Sequence, residues 1–333
     1  MKFDFCIGNP PYQDDNPGES NTALPVYHNF MDSAFEVSNA VELITPARFL
    51  FNAGRTPKEW NEKMLNDEHF KVLDYTSNAR LVFSNTDIKG GVAITYHDKF
   101  KKYETIKFFI ENFELKFLFK KVGCSNDNFH SLSELVFVAT KFNLEALSKD
   151  YVQYKNRERR CSSNVLVMDC FFKRRKKSSD IEIFGVIKNK RTSRFIDCKY
   201  IDKENLLGYK VLLPKADGNG SFGETLTKPM IVGFNCGYTH TFYSIGRFDK
   251  EEYASNVVKY VKTKFVRCML SFAKVTQNIN ADTWRFVPLQ DFTNQSDIDW
   301  SKSVHEIDLQ LYRKYGLDKK EIAFIEEKVK AMD

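Results

Sequence analysis

The sequence Phe3-Asp4-Phe5-Cys6-Ile7-Gly8-Asn9-Pro10-Pro11-Tyr12 predicts a buried strand that ends in a forced turn. The two prolines stop the strand because each fixes φ and lacks a backbone N–H donor. The carbonyl groups of Asn9 and Pro10 are therefore left to accept hydrogen bonds from another partner. A side-chain amide, free carbonyls and an aromatic ring at the end of a strand form a set that can bind a planar amine.

Asn9-Pro10-Pro11-Tyr12 after an apolar strand resembles the catalytic motif of the S-adenosylmethionine-dependent N6-adenine methyltransferases. The resemblance implies that carbonyl oxygens at Asn9 and Pro10 accept the two N–H bonds of the adenine amine and stabilise the transition state. It also implies that Tyr12 stacks on a base flipped out of duplex DNA. These four residues are the predicted catalytic set. The same motif serves protein-glutamine and RNA methylation, and a simple diproline turn is the structural alternative.

The resemblance continues along the chain into the restriction–modification methylases. It is carried by the segments Val41–Leu50, Val72–Tyr75, Gly90–Tyr96, Asp299–Lys302 and Lys314–Leu317. It implies an α/β fold with a partial Rossmann-like methyltransferase sheet that contains the later strands only. A mixed α+β target-recognition domain and a helical C-terminal tail would follow this sheet.

The methyl donor implied by the resemblance is S-adenosylmethionine, but its binding residues are not recognisable in this sequence. The family holds the cofactor on a Gly-rich turn upstream of the catalytic motif, and only eight residues precede Asn9 here. The segment Gly218–Gly223 fits G-x-G-x-x-G, but Pro229 follows too soon for a phosphate-binding helix. A mobile surface loop is the predicted structure there. The cofactor site is therefore expected to be incomplete, and a polypeptide that carries the missing cofactor-binding half is an expected partner.

An exposed edge is the predicted consequence of a sheet that lacks its cofactor-binding strands. Residues 3–8 would then form an uncovered apolar edge, which is an aggregation hazard. We expect a partner subunit, a rearranged N-terminus or marginal stability in this part of the chain.

Composition excludes several classes of protein. The seven cysteines contain no C-x-x-C pair, which favours reduced thiols, and the chain starts without a signal peptide. No apolar run approaches the roughly 18 residues of a membrane span. The six histidines form no recognisable ligand set, so no metal site is predicted. A cytoplasmic protein is the expectation.

Positive charge is concentrated in residues 151–200. This window has fourteen Lys and Arg against five acids, within a chain whose net charge is +6. Aromatic residues are interleaved with the cations, and such clustering predicts phosphate binding and a double-stranded DNA partner. The predicted DNA-binding residues are Lys155, Arg157, Arg159, Arg160, Lys173, Arg174, Arg175, Lys176, Lys177, Lys190, Arg191 and Arg194.

Three regions are predicted along the chain: a partial methyltransferase catalytic domain over 1–105, a target-recognition domain over 106–248 and a helical region over 249–333. Strands are predicted at Asn164–Val167, Ile181–Ile187, Tyr209–Leu213 and Met230–Phe234. The apolar spacing of Glu251–Ser271 predicts one continuous helix.

Two other functions stay open from the sequence. One is a DNA sequence-recognition module or subunit without catalysis. The other is a nuclease, because Asp180 or Glu182 followed by Asp197-Cys198-Lys199 loosely fits an acid…D-x-K metal site.

Overall fold

The computed structural model of the 333-residue chain describes residues 3–14, 23–84, 88, 90–110, 113–124, 126, 128–203, 206–218, 220–274 and 277–332. The chain divides into two compact units, Met1–Phe113 and Glu114–Asp333. Both contain helices and strands, so the expected mixed α/β character is confirmed. The finer division at residues 105 and 248 stays a prediction.

The first unit contains a four-stranded sheet. Its strands are β1 (Phe3–Gly8), β2 (Ser38–Pro46), β3 (Phe70–Thr76) and β4 (Val92–Asp98), in the order β1-β2-β4-β3. Strand β1 runs parallel to β2, whereas β4 is antiparallel to both of its neighbours. Two helices, α1 (Tyr27–Val37) and α2 (Lys58–Leu65), accompany the sheet.

The core of the first unit lies on one face of this sheet. Val41 and Leu43 of β2 point to this face, and Tyr27 and Met31 of α1 belong to the same buried cluster. Cys6 of β1 joins the cluster as a partly buried residue. Since alternate residues of a strand point to opposite faces, Phe3, Phe5 and Ile7 face away from this core.

Those three side chains are exposed, so the predicted burial of this strand is wrong. Phe3, Phe5 and Ile7 are 50%, 71% and 78% exposed, respectively. In the part of the chain that the structure describes, β1 pairs with β2 alone, so its outer edge has no strand partner. The expected uncovered apolar edge is therefore present.

The second unit contains two sheets. One has the order β10-β6-β7 and the other β5-β11-β8-β9. The strands are β5 (Val136–Phe137), β6 (Ile181–Ile187), β7 (Lys190–Ile196), β8 (Tyr209–Pro214), β9 (Met230–Val232), β10 (Cys236–Tyr238) and β11 (Phe242–Phe248). The predicted strand at Asn164–Val167 is wrong, because Val165–Val167 forms a 3-10 turn whose Val165 and Leu166 are buried.

Six helices complete the described structure: α3 (Phe113–Val122), α4 (Leu144–Asp150), α5 (Glu251–Lys262), α6 (Lys264–Ser271), α7 (Val304–Lys314) and α8 (Lys319–Lys328). The predicted single helix over 251–271 is wrong, since Thr263 ends α5 and caps α6. Its hydroxyl accepts from the Val266 amide at 3.2 Å. The buried Asp308 carboxylate accepts from the Lys264 and Phe265 amides, and burial raises the pKa of Asp308 to about 6.

None of these helices is long and apolar enough to cross a membrane.

We predict that Phe5→Ser leaves the stability of the chain nearly unchanged and reduces its self-association. Phe5 is already 71% exposed, so the change in unfolding free energy should stay within about 0.5 kcal/mol. Urea unfolding and light scattering measure the two effects. The matched control is Val41→Ser on β2, where the side chain is 1% exposed and the cost should be about 2 kcal/mol or more. Equal destabilisation by both variants would contradict an exposed β1.

Candidate functional site

The turn that follows β1 exposes the predicted catalytic residues. Asn9 and Pro11 are exposed, whereas Pro10 and Tyr12 are half-buried. No side chain or loop amide among the described residues donates a hydrogen bond to the carbonyl oxygen of Asn9 or Pro10. Because residues 10 and 11 are prolines, the turn also has no N–H donors of its own there. The turn therefore presents acceptors to whatever binds it.

Contacts of the backbone and of the side chain both hold Tyr12 in place at the end of this turn. Its carbonyl accepts from the Val26 amide at 3.2 Å, and its hydroxyl donates to the Ile44 carbonyl at 3.4 Å. Its ring meets Phe83 edge-on, with 6.3 Å between centroids. Burial raises the pKa of Tyr12 to about 12, so the phenol is neutral near pH 7.

Parallel pairing puts the end of β2 next to this turn. Gly8 lies opposite Leu43, so the residues that follow each of them leave the sheet at the same edge. There the Ala47 amide donates to the Gly91 carbonyl at 3.0 Å, which ties the segment after β2 to the start of β4. The buried Thr45 hydroxyl has no hydrogen-bond partner among the described residues. This edge combines carbonyl acceptors with a neutral aromatic ring, a set that suits an amine on a planar base.

The described part of the glycine-rich segment is a surface loop, as predicted, and contacts from the second unit anchor it. Lys274, which is 4% exposed, donates to the Asp217 carbonyl at 2.9 Å and pairs with the Glu224 carboxylate. The Gly223 amide donates to the Ser271 hydroxyl at 2.9 Å. These contacts come from α6 and the residues just after it.

The same loop does not fit a cofactor. The Gly220 amide donates to Glu224 at 3.1 Å, so a carboxylate of this chain takes the place that a phosphate or ribose would need. A Cβ at residue 218 would lie 2.2 Å from the Glu224 side chain, which shows how closely the loop wraps this carboxylate. No step is therefore assigned to S-adenosylmethionine at this loop.

Several of the predicted DNA-binding residues are used internally. Arg159 pairs with Asp202 at 2.7 Å, and Lys177 lies 3.4 Å from Asp197. The guanidinium of Arg194 donates to the Ser193 carbonyl at 2.8 Å. Arg157 donates to the Asn164 side chain at 3.4 Å and lies over the ring of Tyr154. Charge neutralisation makes Arg159 and Lys177 weaker candidates for phosphate contacts, whereas Arg194 and Arg157 keep their charge but have donors used within the protein.

The other predicted cations are exposed, and none has a carboxylate partner among the described residues. Two lie over aromatic rings, Arg175 over Phe195 at 5.3 Å and Lys176 over Phe172 at 4.4 Å. The backbones of Phe172 and Phe195 exchange two hydrogen bonds of 2.9 Å, which brings the 173–177 run beside β7. The exposed cations without an acidic partner among the described residues are Lys155, Arg160, Lys173, Arg174, Arg175, Lys176, Lys190 and Arg191.

The acids considered for a nuclease site have structural partners. Asp180, which is 1% exposed, accepts from the Lys176 and Lys177 amides at 2.8 and 2.7 Å. Glu182 accepts from the Ser193 hydroxyl at 2.6 Å, and Asp197 caps a 3-10 turn through the Lys199 amide. Over the described ranges, no group of three or more His, Cys, Asp or Glu residues could hold a metal ion.

Sequence reasoning missed one unusual cation. Lys210 of β8 is fully buried, and its ammonium group donates only to the carbonyls of Gly208 (3.2 Å) and Gly233 (3.4 Å) among the described residues. Burial lowers the pKa of Lys210 to about 8. The available signal was a single lysine inside the apolar run Tyr209–Leu213.

Comparison with known proteins confirms the predicted resemblance. Residues 1–83 match the family model of the Eco57I restriction-modification methylases. An uncharacterized adenine-specific methylase of Mycoplasma pneumoniae is 30% identical over 95 residues, which are 28% of this chain and 22% of that relative. The chain is therefore similar to restriction-modification methylases over its first unit, and its match spans about a fifth of the curated relative.

One solved structure was also found to resemble the chain. It is the Type IIL restriction-modification enzyme MmeI in complex with DNA, with 10% sequence identity and a TM-score of 0.40. The match covers 98% of this chain and 56% of MmeI.

We predict that Glu224→Ala destabilises the second unit, because it leaves the buried Lys274 ammonium without its carboxylate. Breaking such a pair should cost about 3–5 kcal/mol, measured by urea unfolding. Glu327→Ala is the control, since Glu327 pairs with Lys328 where both side chains are more than half exposed, and it should cost less than about 1 kcal/mol. A Glu224→Ala chain as stable as this control would mean that the loop does not enclose the carboxylate.

Proposed function

We propose that this chain is the base-handling and DNA-reading part of an adenine-specific DNA methyltransferase of a restriction–modification system. Its reaction would transfer a methyl group from S-adenosylmethionine to N6 of adenine in a specific DNA sequence. The observation that carries the proposal is the Asn9–Tyr12 turn, whose carbonyl groups are open beside a half-buried neutral tyrosine. The match of residues 1–83 to a methylase family supports it.

The adenine amine is a poor nucleophile because its lone pair is delocalised into the ring. In the proposed complex, carbonyl oxygens at Asn9 and Pro10 accept its two N–H bonds and favour a tetrahedral nitrogen. Fixed acceptors of this kind stabilise the charge that develops in the transition state. The ring of Tyr12 stacks on the flipped base, and Pro11 keeps the turn rigid without adding a donor.

We also propose that the four-stranded sheet of the first unit is part of a Rossmann-like methyltransferase sheet. The order β1-β2-β4-β3, with β1 parallel to β2 and exposed on its outer side, would let further parallel strands extend the sheet past β1. We propose that these strands, on another polypeptide or segment, hold S-adenosylmethionine. The chain alone would then methylate weakly or not at all.

The DNA contacts are proposed for residues 106–248, as a target-recognition domain, with 249–333 as its helical support. Exposed cations without acidic partners are available there to neutralise phosphates, and such contacts dominate affinity for duplex DNA. A cytoplasmic protein acting on double-stranded DNA is the consistent setting.

Methyl transfer to duplex DNA tests the proposal. The purified chain, S-adenosylmethionine and a mixed-sequence duplex are incubated, and N6-methyladenine is quantified by nucleoside mass spectrometry. We expect slow methylation that is abolished in Asn9→Ala and Tyr12→Ala. Tyr12→Phe keeps the ring and loses only the hydrogen bond to Ile44, so it should retain most of the activity.

Asn29→Ala is the matched control, because Asn29 is an exposed asparagine on α1 of the same unit. Rapid turnover by the chain alone would contradict the need for a further cofactor-binding part. Salt-sensitive DNA binding without any methylation, and with the same affinity in Asn9→Ala and Tyr12→Ala, would favour the alternative, a non-catalytic recognition module. Methyl groups found on cytosine would overturn the adenine assignment.

A further inference from the structure

Strands β6 and β7 form a regular antiparallel ribbon (Ile181–Ile196). Seven residue pairs run from Ile181 opposite Ile196 to Ile187 opposite Lys190. Lys188 and Asn189 close it with φ values of 49° and 61°, and two consecutive positive values identify a type I′ turn. This turn matches the twist of the ribbon, so the tip has a defined conformation.

At the end closed by this turn, the ribbon consists of β6 and β7 alone among the described residues. Strand β10 pairs with Glu182, Ile183 and Phe184 of β6, and beyond Phe184 no described residue other than those of β7 continues the ladder. Ile187 packs against a buried cluster, so one face of the ribbon is anchored up to the turn. The tip is therefore both narrow and rigidly supported.

Four polar side chains occupy this tip. Lys188, Asn189, Lys190 and Arg191 are all exposed. None of the four has a side-chain hydrogen bond or an ion pair over the described ranges, and Arg191 lies over the Phe242 ring at 5.8 Å. By contrast, Lys199 pairs with Asp150 at 2.6 Å within the same basic window. The end of the ribbon thus carries three unneutralised cations, Lys188, Lys190 and Arg191, close together.

We propose that the tip of the β6–β7 ribbon enters the DNA major groove and that Asn189 reads an adenine there, an inference that rests on the proposed function. A B-form major groove is about 12 Å wide and admits a two-stranded ribbon. The side-chain amide of asparagine can pair with N6 and N7 of adenine, while Lys190 and Arg191 contact phosphates or guanine edges.

The 173–177 run would extend this contact along the duplex. Phe195 is hydrogen-bonded to Phe172, the residue just before this run, and lies five residues from Lys190 on β7, a distance of roughly 16 Å at the usual rise of a strand. The exposed Lys173 and Arg174 would therefore meet phosphates about one half-turn of DNA away from the tip. An alternative role for the cations of β7 is protection of an edge strand against aggregation.

Selection of duplexes from a random pool tests the inference, with the full chain and with Asn189→Gly. Glycine tolerates positive φ, so this variant keeps the turn and deletes only the amide. We expect the wild-type chain to select a sequence, and Asn189→Gly to lose the adenine preference at one position. Its affinity for the original sequence should fall by on the order of tenfold. Thermal unfolding checks that the variant is folded.

Lys190→Ala should weaken binding to all duplexes about equally. It should also reduce the slope of log affinity against log salt concentration by about 1. Lys319→Ala, an exposed lysine at the start of α8, is the control and should change neither. Duplex RNA should compete poorly, because the A-form major groove is too narrow for a ribbon.

The outcomes separate this inference from the proposed function. If the wild-type chain binds no duplex at low salt, the proposed function fails. If it selects a sequence that Asn189→Gly selects equally well, the proposed function stands and the ribbon is not the reader. If Lys190→Ala raises aggregation and leaves DNA affinity unchanged, the cations of β7 protect the edge strand and the inference is wrong.

Discussion

The candidate site depends on a turn whose two central residues, Pro10 and Pro11, have no backbone N–H donor. Parallel pairing with β2 fixes the direction of β1, and Pro10 and Pro11 then end the strand without N–H groups. A turn of ordinary residues would offer both donors and acceptors, and it could bind many groups. Here the prolines remove the donors at positions 10 and 11, so the carbonyl groups of Asn9 and Pro10, beside a tyrosine held by Ile44, favour a ligand with two N–H bonds.

Charge in the second unit has to be judged by partners as well as by number. The window 151–200 carries a large excess of cations, but Arg159 and Lys177 are neutralised by Asp202 and Asp197. The cations that remain unpaired lie on the 173–177 run, at Lys155 and Arg160, and at the ribbon tip. Because only unneutralised charge attracts phosphate strongly, pairing reduces twelve candidates to a smaller set.

Local signals were predictable from the sequence and distant contacts were not. The strand and turn at residues 3–12 follow from proline chemistry, and the exposed β1 edge follows from sheet geometry. The break at Thr263 was missed because apolar spacing continues across it. The contact that anchors the glycine-rich loop was not predicted, because Lys274 lies 50 residues from Glu224 along the chain. For the same reason, sequence alone could not tell paired arginines from free ones.

NMR titration of the Tyr12 ring is the measurement to make first. It shows whether the Asn9–Tyr12 turn recognises the adenine amine. The chain is labelled on tyrosine and mixed with single-stranded oligonucleotides, which require no base flipping. We expect adenine to shift the Tyr12 resonances, and N6,N6-dimethyladenine, which has no N–H donors on this nitrogen, to leave them unchanged. Equal shifts with both bases would mean that stacking alone binds the base, and would contradict the role of the two carbonyl groups.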